Sequence, residues 1–185
     1  MSRDAAVSVK IDHDEQQYAW SESALAKIEA TLKKYPAERK ASAVITLLKL
    51  AQDEFDGWLP VGLMNLVADT LDMPKVRVYE VATFYDMFYT APVGKHTVRV
   101  CTNVSCLIRG ADKVLEAIQK DVGLSAPGTT ADGLMTVESF ECLGACCEAP
   151  MMMVDEHYHV NLTPARALEI IGQIKAGHAP REASK

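Results

Sequence analysis

The five cysteines of this 185-residue chain constrain its fold more than any other feature, because four of them form two closely spaced pairs. Four residues separate Cys101 from Cys106, three separate Cys142 from Cys146, and 35 residues lie between the pairs. Thiolates grouped in this way are typical of a metal site. A fold that builds such a site must bring two distant segments of the chain to one place.

The spacing favours a [2Fe–2S] cluster, in which each tetrahedral iron takes two protein sulfurs, over structural zinc. Zinc ribbons place two residues between ligands and form a tight knuckle round one ion. The four residues after Cys101 make a wider loop, with room for one iron and its bridging sulfides. We interpret Cys147 as a packed thiol or one that lies beside the ligands, because adjacent side chains point apart in extended backbone, but its pairing with Cys142 stays open.

Other thiol chemistry is disfavoured by the rest of the sequence. Residues 1–17 carry charges of both signs and no apolar segment, so they do not form a secretory signal peptide. A reducing compartment is therefore expected, and it disfavours a disulfide framework. The chain contains no C-x-x-C, the usual motif of thiol–disulfide oxidoreductases.

Charge, hydropathy and motifs exclude several further functions. The net charge of −6 and the sequence pI of about 5.4 argue against nucleic acid as a partner. No apolar run approaches the roughly 18 residues that a membrane-spanning helix needs, so we expect no direct membrane insertion. The motifs G-x-G-x-x-G, P-loop and G-x-S-x-G are absent, and so the chain is predicted to lack its own nucleotide or acyl-transfer site.

The histidines and the three consecutive methionines are expected to have structural roles and not to bind metal. Histidines at metal-ligand spacing are not found, and we expect none of the five to bind metal: His13, His96, His157, His159 and His178. His157 and His159 are predicted to face solvent around a hairpin. The three consecutive methionines at residues 151–153 predict a buried strand that fills irregular space beside a bulky cofactor.

The first half of the chain predicts a small helical bundle. After a polar segment of 20 residues, Ser21 is a candidate cap for a helix that Pro36 stops, and a second helix spans about residues 38–55. Pro60 and Pro74 each open a further helix from its first position, and the last one continues through residue 88.

After residues 91–94 the hydrophobic period changes from that of helices to that of strands. We predict a strand, a helix, a second strand, a hairpin and a last helix, which pack two helices on a four-stranded, thioredoxin-like sheet. Both cysteine pairs then follow the carboxyl ends of strands, where open α/β sheets bind ligands.

The predicted segments are 96–102, 111–122, 134–141, 151–154 with 158–161, and a helix from Thr163 to Gly177, with a loop at 128–133. The predicted organisation is a flexible tail (1–20), a helical bundle for partner docking (21–90), a [2Fe–2S] domain (91–177) and a C-terminal tail (178–185).

Several motifs together resemble one family, the small [2Fe–2S] subunit, or E subunit, of the NADH-oxidising module of NADH:quinone oxidoreductase (complex I). They are Glu80-Val-Ala-Thr-Phe-Tyr85, Pro92-Val-Gly-Lys-His96, the loop from Cys101 to Cys106, and Glu141-Cys-Leu-Gly-Ala-Cys146 followed by Ala149-Pro150. The resemblance runs from about residue 21 to residue 177. It implies helices followed by a thioredoxin-like ferredoxin domain (an α+β, α/β-type arrangement), one [2Fe–2S] cluster, and the ligands Cys101, Cys106, Cys142 and Cys146.

The resemblance also implies a role and partners. The chain is expected to be a non-catalytic electron-transfer subunit that exchanges single electrons with FMN, while FMN and NADH are bound by a neighbouring subunit. Further complex I subunits, and a cytoplasmic location on the inner face of the membrane, follow from the same resemblance. Related subunits of NAD-linked hydrogenases or formate dehydrogenases are the alternative, and a structural zinc scaffold is the alternative of another class.

Overall fold

The computed structural model describes residues 16–178. The predicted loose segments therefore lie largely outside the described residues, as does His13. The chain divides into two compact units, Met1–Pro92 and Val93–Lys185. Within the described residues, no helix is both long enough and apolar enough to cross a membrane.

Four α-helices form the first unit, and their ends follow local signals. They are α1 (Glu22–Leu32), α2 (Val44–Glu54), α3 (Val61–Leu71) and α4 (Lys75–Phe84). The Ser21 hydroxyl accepts a hydrogen bond from the Ala24 N–H at 3.1 Å, which confirms the predicted cap. Pro60 and Pro74 stand immediately before α3 and α4 rather than inside them, because each has an extended ψ, of 161° and 131°.

Two of the predicted helices are shorter than expected. Residues 37–43 form a 3₁₀ turn with non-helical torsions at Arg39, so the α-helix begins only at Val44. This turn buries Ala43 alone and therefore has no apolar stripe to hold a regular helix. Likewise α4 ends at Phe84, since Tyr85 is extended, and Phe88 reaches the core from the following turn.

The core of the first unit is mainly aliphatic, and one buried amide, that of Gln52, forms hydrogen bonds at its edge. Its largest fully buried side chains are Leu47, Leu48, Leu59, Leu63, Met64 and Leu71. Gln52 donates from Nε2 to the Met87 carbonyl at 3.0 Å and accepts from the Tyr89 N–H at 2.8 Å. These two bonds fix the segment after α4 onto α2. Trp20 also packs against this core, and its indole N–H donates to Thr70 at 2.9 Å.

The second unit contains a five-stranded sheet, not the predicted four-stranded one. Its strands are β1 (His96–Cys101), β2 (Gly128–Thr129), β3 (Met135–Phe140), β4 (Met152–Val154) and β5 (His157–His159), in the order β2-β3-β1-β4-β5. The central pair β1–β3 is parallel and the other neighbours are antiparallel. The extra strand lies where a loop was predicted. It pairs with β3 and is too short to show a period of two.

Three helices complete the second unit: α5 (Val104–Ile108), α6 (Ala111–Asp121) and α7 (Pro164–Lys175). Thr163 caps α7 by accepting from the Arg166 N–H at 3.2 Å, as predicted. Helices α6 and α7 share one core with one face of the sheet, through residues that include Val98, Val137, Ile118 and Ile171. Helices followed by a mixed sheet with helices confirm the predicted fold class.

The hairpin β4–β5 corrects one histidine prediction. His157 is exposed at the turn, as expected, but His159, which pairs with Met152 farther from the turn, is buried. Met151 and Met152 are fully buried, in agreement with the predicted strand, and Met153 is half-buried.

Candidate metal centre

The parallel pair at the centre of the sheet brings the two cysteine segments together. Cys101 is the last residue of β1, and its partner across the ladder is Phe140, the last residue of β3. Cys142 follows two residues later. Because parallel strands end at the same edge of a sheet, 35 residues of intervening chain do not separate the two segments in space.

The first pair is buried. Cys101 and Cys106 are 2% and 1% exposed, and they pack in a small cluster with Ala111, Ala149 and Met151. Cys106 lies on α5, a helix that the sequence pattern does not predict. Asn103 caps this helix through a hydrogen bond from the Val104 N–H to its Oδ1 at 2.9 Å. An asparagine before a short apolar run was the available signal for a helix start.

The second pair is exposed. The sulfurs of Cys142 and Cys146 lie 3.4 Å apart, on a turn that passes through Gly144 at φ +93°. This φ is in the left-handed region that favours glycine. The Tyr158 hydroxyl donates to the Leu143 carbonyl at 2.6 Å and fixes the turn against β5. Cys147 is also exposed, on the 3₁₀ turn that begins at Cys146, so it is not a packed thiol.

Burial and neighbouring thiols raise the pKa values of two of the four cysteines. Burial, followed by the hydrogen bond with Cys101, raises the pKa of Cys106 to about 11. The pKa of Cys146 is raised mainly by its hydrogen bond with Cys142 and by the charge there, with a smaller effect from Cys101. Cys106 and Cys146 are therefore harder to ionise than free thiols, and bound cations would offset this by favouring the thiolate form.

The donor set fits the cluster that the spacing predicts. Four sulfurs are presented as two pairs, which matches two irons that each need two protein ligands. Over residues 16–178, no three His, Cys, Asp or Glu side chains converge closely enough to hold one metal ion.

Two polar contacts between the segments that carry the pairs are not predicted from the sequence. Asn103 donates from Nδ2 to the Glu141 carboxylate at 2.7 Å. Arg109 donates from Nε to the Ala149 carbonyl, also at 2.7 Å. Both contacts join residues about 40 apart, and so no local pattern could have predicted them.

Comparison with known proteins agrees with this geometry. The family model of the thioredoxin-like [2Fe–2S] ferredoxins matches residues 28–175. The chain belongs to this family. The match includes both cysteine pairs and the helices of the first unit from within α1 onward. The thioredoxin-like fold and the iron–sulfur family expected from the sequence are thereby confirmed.

Curated proteins similar to this chain align with most of its length. The E subunit of the NADH-quinone oxidoreductase of Rickettsia bellii (strain RML369-C) is 40% identical over 158 residues, which are 85% of this chain and 95% of the relative. The corresponding protein of Rickettsia prowazekii (strain Madrid E) is 40% identical over 156 residues, 84% of this chain and 88% of the relative. The resemblance to the small [2Fe–2S] subunit of complex I is therefore confirmed.

A solved structure shares the fold. The crystal structure of an NAD⁺-reducing [NiFe]-hydrogenase in the air-oxidised state matches with a TM-score of 0.63. The sequence identity is 18%, and the match covers 73% of this chain and 23% of the hydrogenase chain. At this identity the likeness concerns the fold alone.

Proposed function

We propose that this chain is the [2Fe–2S] electron-transfer subunit of the NADH-oxidising module of an NADH:quinone oxidoreductase. The observation that carries the proposal is the parallel pairing of β1 with β3, which ends at Cys101 on one strand and at Phe140, two residues before Cys142, on the other. The two rickettsial relatives, 40% identical over most of the chain, support the assembly to which it belongs. The chain has a non-catalytic role in that enzyme.

In this proposal Cys101, Cys106, Cys142 and Cys146 hold the cluster, and Cys147 does not. The cluster, when bound, supplies one-electron reduction and oxidation. The protein contributes placement: the buried first pair excludes water on one side, and the exposed second pair leaves the other side open toward a partner. Hydrogen bonds and burial around the sulfurs then set the reduction potential.

The proposed partner is the subunit that binds NADH and FMN, together with further subunits of the complex. As part of that complex, the chain is proposed to lie peripherally on the cytoplasmic, inner face of the membrane. The closely related alternative is a subunit of an NAD-linked hydrogenase or formate dehydrogenase. Identification of the proteins that purify with the native chain separates these assemblies.

An exposed aromatic surface on the helical unit supports a permanent partner. Of six aromatic residues between 58 and 89, four are buried or half-buried, and these are Trp58, Tyr79, Phe88 and Tyr89. Phe84 is 75% exposed and Tyr85 40%, and their rings are in edge-to-face contact at 5.0 Å. We propose that these two side chains, with Met87, dock on the flavin-bearing subunit, since such residues are enriched in interface cores.

The ligand assignment is tested by single Cys→Ser variants of the full chain, with iron and sulfide analysis and EPR of the reduced protein. Changes at Cys101, Cys106, Cys142 and Cys146 are expected to abolish or strongly alter the cluster, because thiolate ligands are lost. Cys147→Ser is the matched control and is expected to keep it. Retention in Cys146→Ser together with loss in Cys147→Ser would contradict the assignment.

The partner assignment is tested in the co-purified assembly. NADH is expected to reduce the cluster only when the flavin-bearing subunit is present, because the chain is proposed to bind neither NADH nor FMN. Phe84→Ser is expected to weaken co-purification, whereas Val76→Ser, another exposed apolar position (59%), serves as the control. A colourless protein that holds zinc, or a cluster reduced by NADH without a partner, would rule the proposed function out.

A further inference from the structure

Hydrogen bonds join the two cysteine segments just beyond the central parallel strands. The Thr102 N–H donates to the Phe140 carbonyl at 2.9 Å, and the Thr102 hydroxyl donates to the same oxygen at 3.3 Å. One residue farther on, the Asn103 side chain bonds to Glu141. Beyond this contact one segment turns into α5 toward Cys106, and the other continues to Cys142.

The Asn103 amide acts on both segments at once. Its Oδ1 accepts from the Val104 N–H and so starts the helix that carries Cys106. Its Nδ2 donates to the carboxylate of Glu141, which directly precedes Cys142. The oxygen and nitrogen of an amide have fixed positions relative to each other, because the group is planar. The hydrogen bonds of Asn103 therefore couple the start of α5 to the position of the Cys142 segment.

We propose that Asn103 and Glu141 form a polar clamp that positions the two cysteine pairs for the cluster and tunes its reduction potential. The inference rests on the proposed ligand set. Both are positioning residues, since the contact holds backbone segments and neither side chain is a proposed ligand. The hydrogen bond from Asn103 to the Glu141 carboxylate is charge-assisted and 2.7 Å long. Because the Glu141 side chain is exposed to solvent, we expect the bond to have a moderate effect on how firmly the protein retains the cluster.

The charge of Glu141 gives the clamp its electrostatic role. The carboxylate lies one residue from Cys142, and reduction adds a further negative charge to an already anionic cluster. A fixed negative charge nearby opposes reduction, while the Asn103 donor partly offsets it. Removal of the Glu141 charge should therefore raise the reduction potential, and a second carboxylate should lower it.

The amide and the carboxylate of the clamp can be exchanged between positions 103 and 141 without loss of the helix cap. Asn103→Asp keeps an acceptor for the Val104 N–H, because aspartate caps helices as well as asparagine, but it sets two carboxylates against each other. Glu141→Gln keeps an acceptor for Asn103 and removes the charge. In N103D/E141Q the glutamine amide donates to the aspartate, which restores both the bond and the original net charge.

The test compares these three full-chain variants with the parent protein. The rate of cluster loss to an iron chelator is followed by visible absorbance, and the reduction potential by EPR-monitored titration. N103D is expected to lose the cluster about threefold faster and at a lower potential, and E141Q to stay within about twofold of the parent rate at a higher potential. The double variant is expected to return both values toward the parent.

A matched control lies in the same unit away from the cysteines. Lys175 donates from Nζ to the Asp121 carboxylate at 2.8 Å and joins α7 to α6 across 54 residues. Asp121→Asn should leave the chelation rate and the potential unchanged.

Three outcomes overturn the clamp: N103D indistinguishable from the parent, no recovery in the double variant, or an equal effect of Asp121→Asn. If the parent protein itself holds no iron–sulfur cluster, the proposed function fails along with the clamp.

Discussion

At the scale of single residues, four cysteines that look alike in the sequence have different environments. Cys101 and Cys106 are buried, so the pKa of Cys106 is raised to about 11, while Cys142 and Cys146 are exposed on a turn. The difference arises because the first pair lies between a strand end and a helix, whereas the second lies on a loop that Gly144 turns. Burial shields one side of the site, and exposure leaves the other side accessible.

Asp132 is a second residue whose role depends on its immediate partners. Its carboxylate accepts from the Thr130 hydroxyl and from the Leu134 N–H, and these bonds hold its pKa below the usual value. A lowered pKa in the folded state stabilises the fold above the unfolded pKa of about 3.9, and the effect is lost as the pH falls through the folded pKa. The contribution is thus present at neutral pH and absent in strong acid.

Asp132→Asn is therefore expected to destabilise the protein at neutral pH, and the difference from the parent should shrink below about pH 4. Urea unfolding of both proteins at several pH values measures it. A difference that stays constant from neutral pH to about pH 3 would show that the ionised carboxylate is not responsible.

At the scale of elements, the burial of an apolar side chain, and not its apolar character alone, decides how much it contributes to the stability of the helical unit. Leu25 and Leu63 both occupy positions that the helical period marks as apolar, in α1 and α3. Leu63 is fully buried, but Leu25 is 51% exposed. Only Ala24 and Ile28 of α1 are buried, so this helix covers the bundle with a narrow face.

Leu63→Ala is expected to lower the free energy of unfolding by about 3 kcal/mol, because it leaves a cavity in a close-packed core. Leu25→Ala, the matched control in the same unit, should cost less than about 0.5 kcal/mol. Denaturant unfolding followed by far-UV circular dichroism measures both. Equal losses for the two variants would contradict the burial that the structure assigns to them.

At the scale of the whole molecule, the two units differ in how far they depend on the cofactor. The helical unit has its own aliphatic core, and none of the proposed ligands belongs to it. The second unit has one core between the sheet and α6 and α7, and a smaller cluster round Cys101 and Cys106. A bound cluster would link β1, α5 and the turn after β3, and its binding free energy would add to the stability of that unit.

Removal of the cluster with a chelator is therefore expected to lower hydrogen-exchange protection in residues 95–177 more than in residues 21–90. Exchange measured by mass spectrometry on the cluster-containing and cluster-free protein tests this. The four helices of the first unit serve as the internal control. An equal loss of protection in both units would mean that the cofactor stabilises the chain as a whole.

The sequence by itself determined the features that local signals encode. The cysteine spacing predicted an iron–sulfur protein, Ser21 and Thr163 predicted helix starts, and the change of period after residue 94 predicted strands. Such signals depend on neighbours a few residues apart, and the chain carries them whatever its tertiary structure.

Only the tertiary structure decided the features that depend on distant residues. Helix α5 has five residues and β2 has two, both too few to show a period, and β2 exists only through its pairing with β3. The burial of His159 and the contact between Asn103 and Glu141, 38 residues apart, follow from strand pairing. Register along a sheet is set by the packing of the whole unit, because a strand's own residues do not specify which residues will lie opposite them.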